Sequence, residues 1–119
     1  MPTVKNLSRK NILAENAAVC KNIVSKAIGL MFSEKKPLIF VFDREKIVPL
    51  HMLFVFYPID VLFLDKNKVI VEIKERFMPF EFYTPKRKAQ YIIEIPVKTI
   101  KKTETRLGDK INFWIVYKF

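Results

Sequence analysis

Apolar positions along this chain recur mostly with the period of a strand. Val69, Val71 and Ile73 alternate with Ile70, Glu72 and Lys74, and Ile111, Phe113, Ile115 and Tyr117 alternate with Asn112, Trp114, Val116 and Lys118. Successive side chains of an extended chain point to opposite faces, so each run predicts a strand with two distinct faces. Leu38–Phe42, Ile59–Asp65 and Tyr91–Ile95 are short, nearly unbroken apolar runs and read as buried strands. Partial alternation over Ile12–Lys21 predicts a first core strand. One stretch differs: Ile23, Ala27, Leu30 and Met31 fall on one face of a helix, with Asn22 as cap and Gly29 near its end. It predicts a short helix over 22–31.

The punctuation between these runs is polar. Asp43-Arg44-Glu45-Lys46 reads as a charged turn, Lys66-Asn67-Lys68 as a hairpin connection, and Leu107-Gly108-Asp109 as a turn. Residues 1–11 show no period and read as a loosely held arm or a short edge strand. Arg76–Lys88, with Phe77, Met78, Phe80, Phe82 and Tyr83 between Pro79 and Pro85, reads as an aromatic loop closing one end of the core. Val97–Arg106 is lysine-rich and has room for one helical turn. The predicted fold is mainly β: a compact, mostly antiparallel β-barrel or sandwich with one short α-helix near residues 22–31, in a single domain spanning 1–119.

The segment from Ile47 to Asp65 is the longest without lysine or arginine. Its length invites comparison with a transmembrane helix, but Pro49, Pro58 and Asp60 interrupt it, and β-branched and aromatic residues dominate. It divides at Tyr57-Pro58 into two strand-like halves, since a proline suits the first residue of a strand. Integral membrane association is therefore not expected. Asp60 stands out within the second half, because a carboxylate in an apolar strand needs partners or a task.

Composition narrows the chemistry further. With one cysteine, Cys20, no internal disulfide can form, and with one histidine no zinc-ligand spacing exists. Two glycines leave no phosphate-cradling glycine-rich loop, and the seven prolines act as the main turn signals. No metal or cofactor is expected. The N-terminal residues lack the charged-then-apolar layout of a secretory signal, which makes the expected location cytoplasmic. Against 12 acidic residues stand 22 Lys plus Arg, a net charge of +10. Such a surface attracts polyanions, and it also matches the lysine-rich surface tendency of hyperthermophile proteins.

Several short motifs occur in a defined order: Gly29-Leu30-Met31-Phe32, Phe40-Val41-Phe42, Met52, Pro58-Ile59-Asp60, Phe63-Leu64-Asp65, Tyr91-Ile92-Ile93-Glu94-Ile95-Pro96 and Gly108-Asp109-Lys110. In order and spacing the chain resembles the family catalogued as domain of unknown function 192. The resemblance implies a small β-barrel or sandwich and no established biochemical activity. Many members of that family carry Trp-Met-Lys-Asn-Thr where this chain has His51-Met52-Leu53-Phe54-Val55. A pocket built from those polar residues elsewhere in the family would be chemically different here.

Three functions compete. A non-catalytic domain binding a small organic ligand or a partner would use Asp60, His51, Glu94 and Tyr83 as its polar groups, with Phe80 and Phe82 as walls. A nucleic-acid-binding protein would use the basic residues Lys86, Arg87, Lys88, Lys98, Lys101, Lys102 and Arg106 beside those aromatics. An enzyme would have to draw its acid/base chemistry from His51, Asp60 and Glu94, the single constellation of that kind. A buried structural role for each acid is the simplest alternative, because buried polar groups normally hold backbone or hydroxyl partners. The binding domain is the preferred reading, and enzyme activity is not expected.

Overall fold

The computed structural model describes residues 2–21, 36–52 and 56–114. In chain order the elements are β1 (Val4–Asn6), β2 (Asn11–Ala14), β3 (Ala18–Lys21), β4 (Leu38–Lys46), β5 (Leu50–His51), β6 (Ile59–Leu64), β7 (Ile70–Phe77), β8 (Phe82–Tyr83), β9 (Ala89–Pro96), α1 (Thr99–Thr103) and β10 (Ile111–Asn112). The fold is mostly β, as the alternation predicts. The helix expected over 22–31 lies outside the described residues, as does the end of the alternating C-terminal run beyond residue 114. Helix α1 falls within the lysine-rich stretch that has room for one helical turn.

A central sheet in the order β3-β4-β9-β6-β7 is flanked by two smaller ones, β10-β1-β2 and β5-β8. Only β3 and β4 pair in parallel among the described strands; the other pairings are antiparallel. Among the described strands the sheets do not close on one another, so the arrangement is sandwich-like and not a closed barrel. Strand β6 shows why the layers are needed. All six of its residues, Ile-Asp-Val-Leu-Phe-Leu, are buried, which requires cover on both faces of the sheet. One face, carrying Val61, Phe63 and Ile92, packs with Phe40, Met52 and Phe77, and Tyr83 of the β5-β8 ribbon leans on it. The other face, carrying Leu62, Leu64, Ile93 and Ile95, packs with Val4, Leu13, Ile111 and Phe113 of the three-stranded sheet and with Ile100 of α1.

Several elements differ from the sequence reading. Residues 4–6 are the middle strand of the β10-β1-β2 sheet, neither a loose arm nor an edge. Val4 and Asn6 are both buried there, and Asn6 donates to Thr105 Oγ1 at 3.1 Å and to Asp109 Oδ2 at 3.0 Å. A polar residue can fill such a strand when distant partners satisfy it, which is invisible locally. The stretch 12–21 is two strands in different sheets, broken at Asn16, whose φ is 54°. Asp43–Lys46, expected as a turn, continues β4, with Lys46 paired to Ala89 across an irregularity.

Scarce glycine did not exclude left-handed backbone. Seven described non-glycine residues have positive φ: Lys10, Asn16, Lys68, Arg76, Phe80, Lys98 and Glu104. Each bears a side chain where the Cβ crowds the backbone, at about 1–2 kcal/mol relative to the right-handed region.

Candidate functional site

Asp60 is 1% exposed. Opposite Ile95 on β9, it faces the same side of the central sheet as Leu62 and Leu64. Its carboxylate joins two elements. Oδ1 accepts the N–H of Arg76 at 3.0 Å, and Oδ2 accepts the N–H of Ile100 at 3.1 Å. The first bond holds the end of β7, where the register with β6 shifts and Arg76 turns left-handed at φ 51°. The second caps α1. Lys98, the N-cap residue at φ 75°, supplies no side-chain cap of its own, so a carboxylate from another strand satisfies the second helical N–H.

Above this carboxylate lies a cleft of about 570 Å³ lined by Asp60, Glu75, Arg76, Lys98, Lys101 and Lys102. Its walls are the end of β7 and α1 with its N-cap residue, the two elements that Asp60 ties together. Four cationic side chains therefore border the cleft. Of its two acids, Asp60 is committed to two backbone donors, which leaves Glu75 as the exposed carboxylate. Two of the wall residues, Arg76 and Lys98, sit on strained backbone, a kind of local cost that clusters at functional sites.

The six residues expected to form one ligand pocket are divided between the two faces of the central sheet, with Asp60 apart from Glu94 and Tyr83. Glu94 is opposite Val61, on the face away from Asp60. Burial pushes its carboxyl up to about 8, so it is largely protonated at neutral pH. Burial, and then the nearby Glu94, raise the Tyr57 phenol above its ordinary value. His51 is half-buried on β5, with its ring 6.3 Å from that of its strand partner Phe82. Tyr83 packs 5.9 Å from Phe63 and 6.3 Å from Phe77, and its hydroxyl donates to Glu72 Oε2. Burial together with that bond and the Glu72 charge push its phenol up to about 12. Phe80 and Phe82 are 60% and 71% exposed and stand outside the core. The physical reason is the turn before β8. It turns Phe80 outward, while Phe77 and Tyr83 take the core positions.

The basic residues divide as well. Glu72, opposite Phe63, accepts the N–H groups of Lys86 and Arg87, each at 2.9 Å, on the side of the sheet facing β8. Lys98, Lys101 and Lys102 lie on the Asp60 side. A single track through both groups would have to pass around the sheet. Arg106 belongs to neither: its N–H donates to Asp109 Oδ2 at 2.9 Å, in a cluster with Asn6 and Arg9. Burial pushes the Asp109 carboxyl up, but the bonds from Asn6, Arg106 and Arg9 and the Arg9 charge outweigh it and hold it below its ordinary value. No group of three His, Cys, Asp or Glu among the described residues is placed to hold a metal ion. No described helix is long and apolar enough to cross a membrane.

Glu75 and Arg76, which border the cleft, and Glu72, which anchors the basic loop, do not stand out in the sequence. The available signal is the charged run Lys74-Glu75-Arg76 ending an otherwise alternating strand.

Comparison with known proteins places this geometry in context. A UPF0127 protein of Pyrococcus furiosus is 38% identical over 97 residues, covering 77% of this chain and 81% of its own length. A UPF0127 protein of Thermococcus sibiricus is 40% identical, with 91% of this chain and 72% of that one covered. One from Pyrococcus horikoshii is 34% identical, with 92% and 94% covered. Among solved structures, one from Sinorhizobium meliloti proposed to be a transcription regulator superposes with a TM-score of 0.79 at 19% identity, covering 94% of this chain and 91% of that one. A protein of unknown function from Novosphingobium aromaticivorans gives a TM-score of 0.78 at 18% identity, with 93% and 82% covered. These two likenesses concern the fold alone. Residues 4–113 match the family DUF192, described as an uncharacterized ACR. The extent of that match and the identity of the relatives settle the assignment: the chain belongs to the uncharacterized family DUF192.

Proposed function

We propose that the chain is a non-catalytic binding domain that takes a small anionic organic ligand in the cleft above Asp60. The observation that carries this reading is the convergence of Arg76, Lys98, Lys101 and Lys102 from two elements onto one cleft of about 570 Å³. That volume falls within the range usual for small-molecule sites. Arg76 offers a planar fork suited to a carboxylate or phosphate, and the three lysines add compact charges around it. Asp60 acts as a positioning residue: it holds the two walls in place through their backbone and leaves the cationic side chains to the ligand.

An acid/base enzyme receives less support. Both Asp60 oxygens are engaged with main-chain donors, and Glu94 lies across the sheet from it. A single strand of nucleic acid is the competing anionic occupant, and the division of the basic residues between two faces argues against one continuous groove. The proposed location is the cytoplasm, consistent with a chain whose one cysteine offers no internal disulfide.

The test is a thermal-shift and calorimetric titration of the full chain with citrate, inorganic phosphate and a nucleoside monophosphate at low salt. At least one probe is expected to raise the melting temperature of the wild type, with the response lost in Arg76→Ala/Lys98→Ala. No response to any probe, or an equal response in that double variant, would refute the assignment.

A further inference from the structure

A second surface is built from exposed apolar side chains. Phe56, Phe80 and Phe82 are 68%, 60% and 71% exposed, and Met78 is 43% exposed. They come from two stretches of chain that the main chain gathers at one rim. The Phe80 N–H donates to Met52 O and the Met52 N–H to Glu81 O, each at 2.8 Å, beside the pairing of β5 with β8. The Phe56 and Phe80 rings meet edge to face, 6.1 Å apart.

The backbone at this rim argues against accident. Met78–Glu81 is a β-turn closed by the Glu81 N–H on Met78 O at 3.2 Å, with Pro79 second and Phe80 third. Phe80 has φ 68°. In a turn with proline at the second position and positive φ at the third, glycine or asparagine is the residue that fits, and a bulky aromatic there is an outlier. The turn gains nothing from Phe80 that glycine would not supply better. What phenylalanine adds is an apolar ring held out from the protein.

Positive charge stands directly behind it. Tyr83, next to Phe82, has the Lys74 ammonium 5.5 Å from its ring and donates its hydroxyl to Glu72. Glu72 in turn holds the backbone of Lys86 and Arg87 on this side of the central sheet, and Lys86, Arg87 and Lys88 are all exposed. The acid within the turn, Glu81, has its Oε1 occupied by the Met78 N–H at 2.7 Å.

We propose that this rim docks on an anionic lipid surface. Phe56, Met78, Phe80 and Phe82 enter the boundary between headgroups and acyl chains, while Lys74, Lys86, Arg87 and Lys88 face the lipid phosphates. Apolar protrusions backed by basic residues are the general design of peripheral membrane contact. Lipid fits better than a nucleic-acid strand on two counts. None of the four protruding side chains carries a hydrogen-bonding group to read a base. The Phe56 and Phe80 rings are inclined by 79°, which does not make the parallel platform on which successive bases stack.

The experiment is co-sedimentation of the full chain with phosphatidylcholine vesicles prepared with and without phosphatidylglycerol. Binding is expected only when phosphatidylglycerol is present. Phe80→Gly/Phe82→Ala should weaken it by roughly tenfold or more, through loss of inserted apolar surface. Phe80→Gly alone separates docking from folding, because its melting temperature should equal or exceed that of the wild type while vesicle binding drops. Lys86→Gln/Arg87→Gln/Lys88→Gln should weaken binding to phosphatidylglycerol vesicles, since the fold uses these residues' backbone. Absence of wild-type sedimentation overturns the proposal, as does full binding by Phe80→Gly/Phe82→Ala. A fluorescent oligothymidine bound through the same rings, with no vesicle binding, would assign the rim to single-stranded nucleic acid and equally overturn it.

Discussion

Replacing Asp60 by asparagine removes one charge and turns one acceptor into a donor. In the native protein the two carboxylate oxygens each receive one backbone N–H, from Arg76 and from Ile100. The amide oxygen of the substituted side chain can keep one of these, but as a neutral bond weaker by about 1 kcal/mol than the charge-assisted one. The amide nitrogen then confronts the other N–H, leaving a buried donor unsatisfied at a cost of about 1–3 kcal/mol. The sum is about 2–4 kcal/mol. For a chain of this length each kcal/mol corresponds to roughly 4 °C in the unfolding midpoint, so Asp60→Asn should melt roughly 8–16 °C below the wild type.

Asp65→Asn supplies the comparison. Asp65 accepts from Asn67 N–H at 2.8 Å and from Val69 N–H at 3.0 Å, both on Oδ1. An asparagine oxygen can keep both bonds in that half-exposed turn, so the same substitution should cost less than about 1 kcal/mol. Differential scanning calorimetry and urea titration at pH 7 measure both variants. A midpoint for Asp60→Asn within about 2 °C of the wild type would falsify the two-bond account. Equal losses for Asp60→Asn and Asp65→Asn would do so as well.

Three further outcomes follow from the same geometry. Glu94 has its carboxyl raised from 4.5 to about 8, so the folded state holds its proton more tightly than the unfolded chain. Stability should fall as pH rises across that window, by at most about 1.4 kcal/mol per pH unit from this group, and Glu94→Gln should flatten this part of the melting profile. Glu104, exposed at the C-cap of α1 with φ 55°, sits where glycine is favoured. Glu104→Gly should raise stability by about 0.5–1 kcal/mol in urea titration, and a loss would contradict the backbone argument. Ultraviolet titration of the phenols should show one group, Tyr83, ionising near 12, and Glu72→Gln should lower that value; an unchanged titration would remove Glu72 as a cause.

The strands that form the middle of the central sheet were legible because their patterns are local. Ile59–Leu64 and Ala89–Pro96 are apolar runs ended by turns or prolines, and Lys66-Asn67-Lys68 connects β6 to β7 as its composition predicts. The site was much less legible. Alternation assigns Asp60 and Glu94 a face within their own strands but carries no information on the register between them. The observed pairing of Asp60 with Ile95 puts the two acids on opposite sides. The cleft depends on left-handed backbone at Arg76 and Lys98, residue types that carry no sequence signal for it. Phe80 misled for the related reason that an aromatic between prolines reads as core, whereas its turn geometry directs it outward. Burial of Asn6 was hidden in the same way, since its partners lie at Thr105 and Asp109.

That last contact has a consequence for how the chain reaches its folded state. Asn6 and Asp109 are 103 positions apart in sequence, and β1 lies between β2 and β10. During synthesis the Val4–Asn6 segment emerges well before β10, so one of its two neighbours does not exist until translation passes residue 112. The pairing of β1 with β2 can form alone, but a two-stranded ribbon is marginal in water. The docking of β10, with the polar clasp around Asp109, is therefore a late event that closes a long loop, and such closure slows folding. Bonds formed after the transition state act mainly on the reverse rate. Asn6→Ala should accordingly accelerate unfolding in stopped-flow measurements while leaving the refolding rate nearly unchanged, which makes the clasp a latch on the finished protein more than a guide to its assembly.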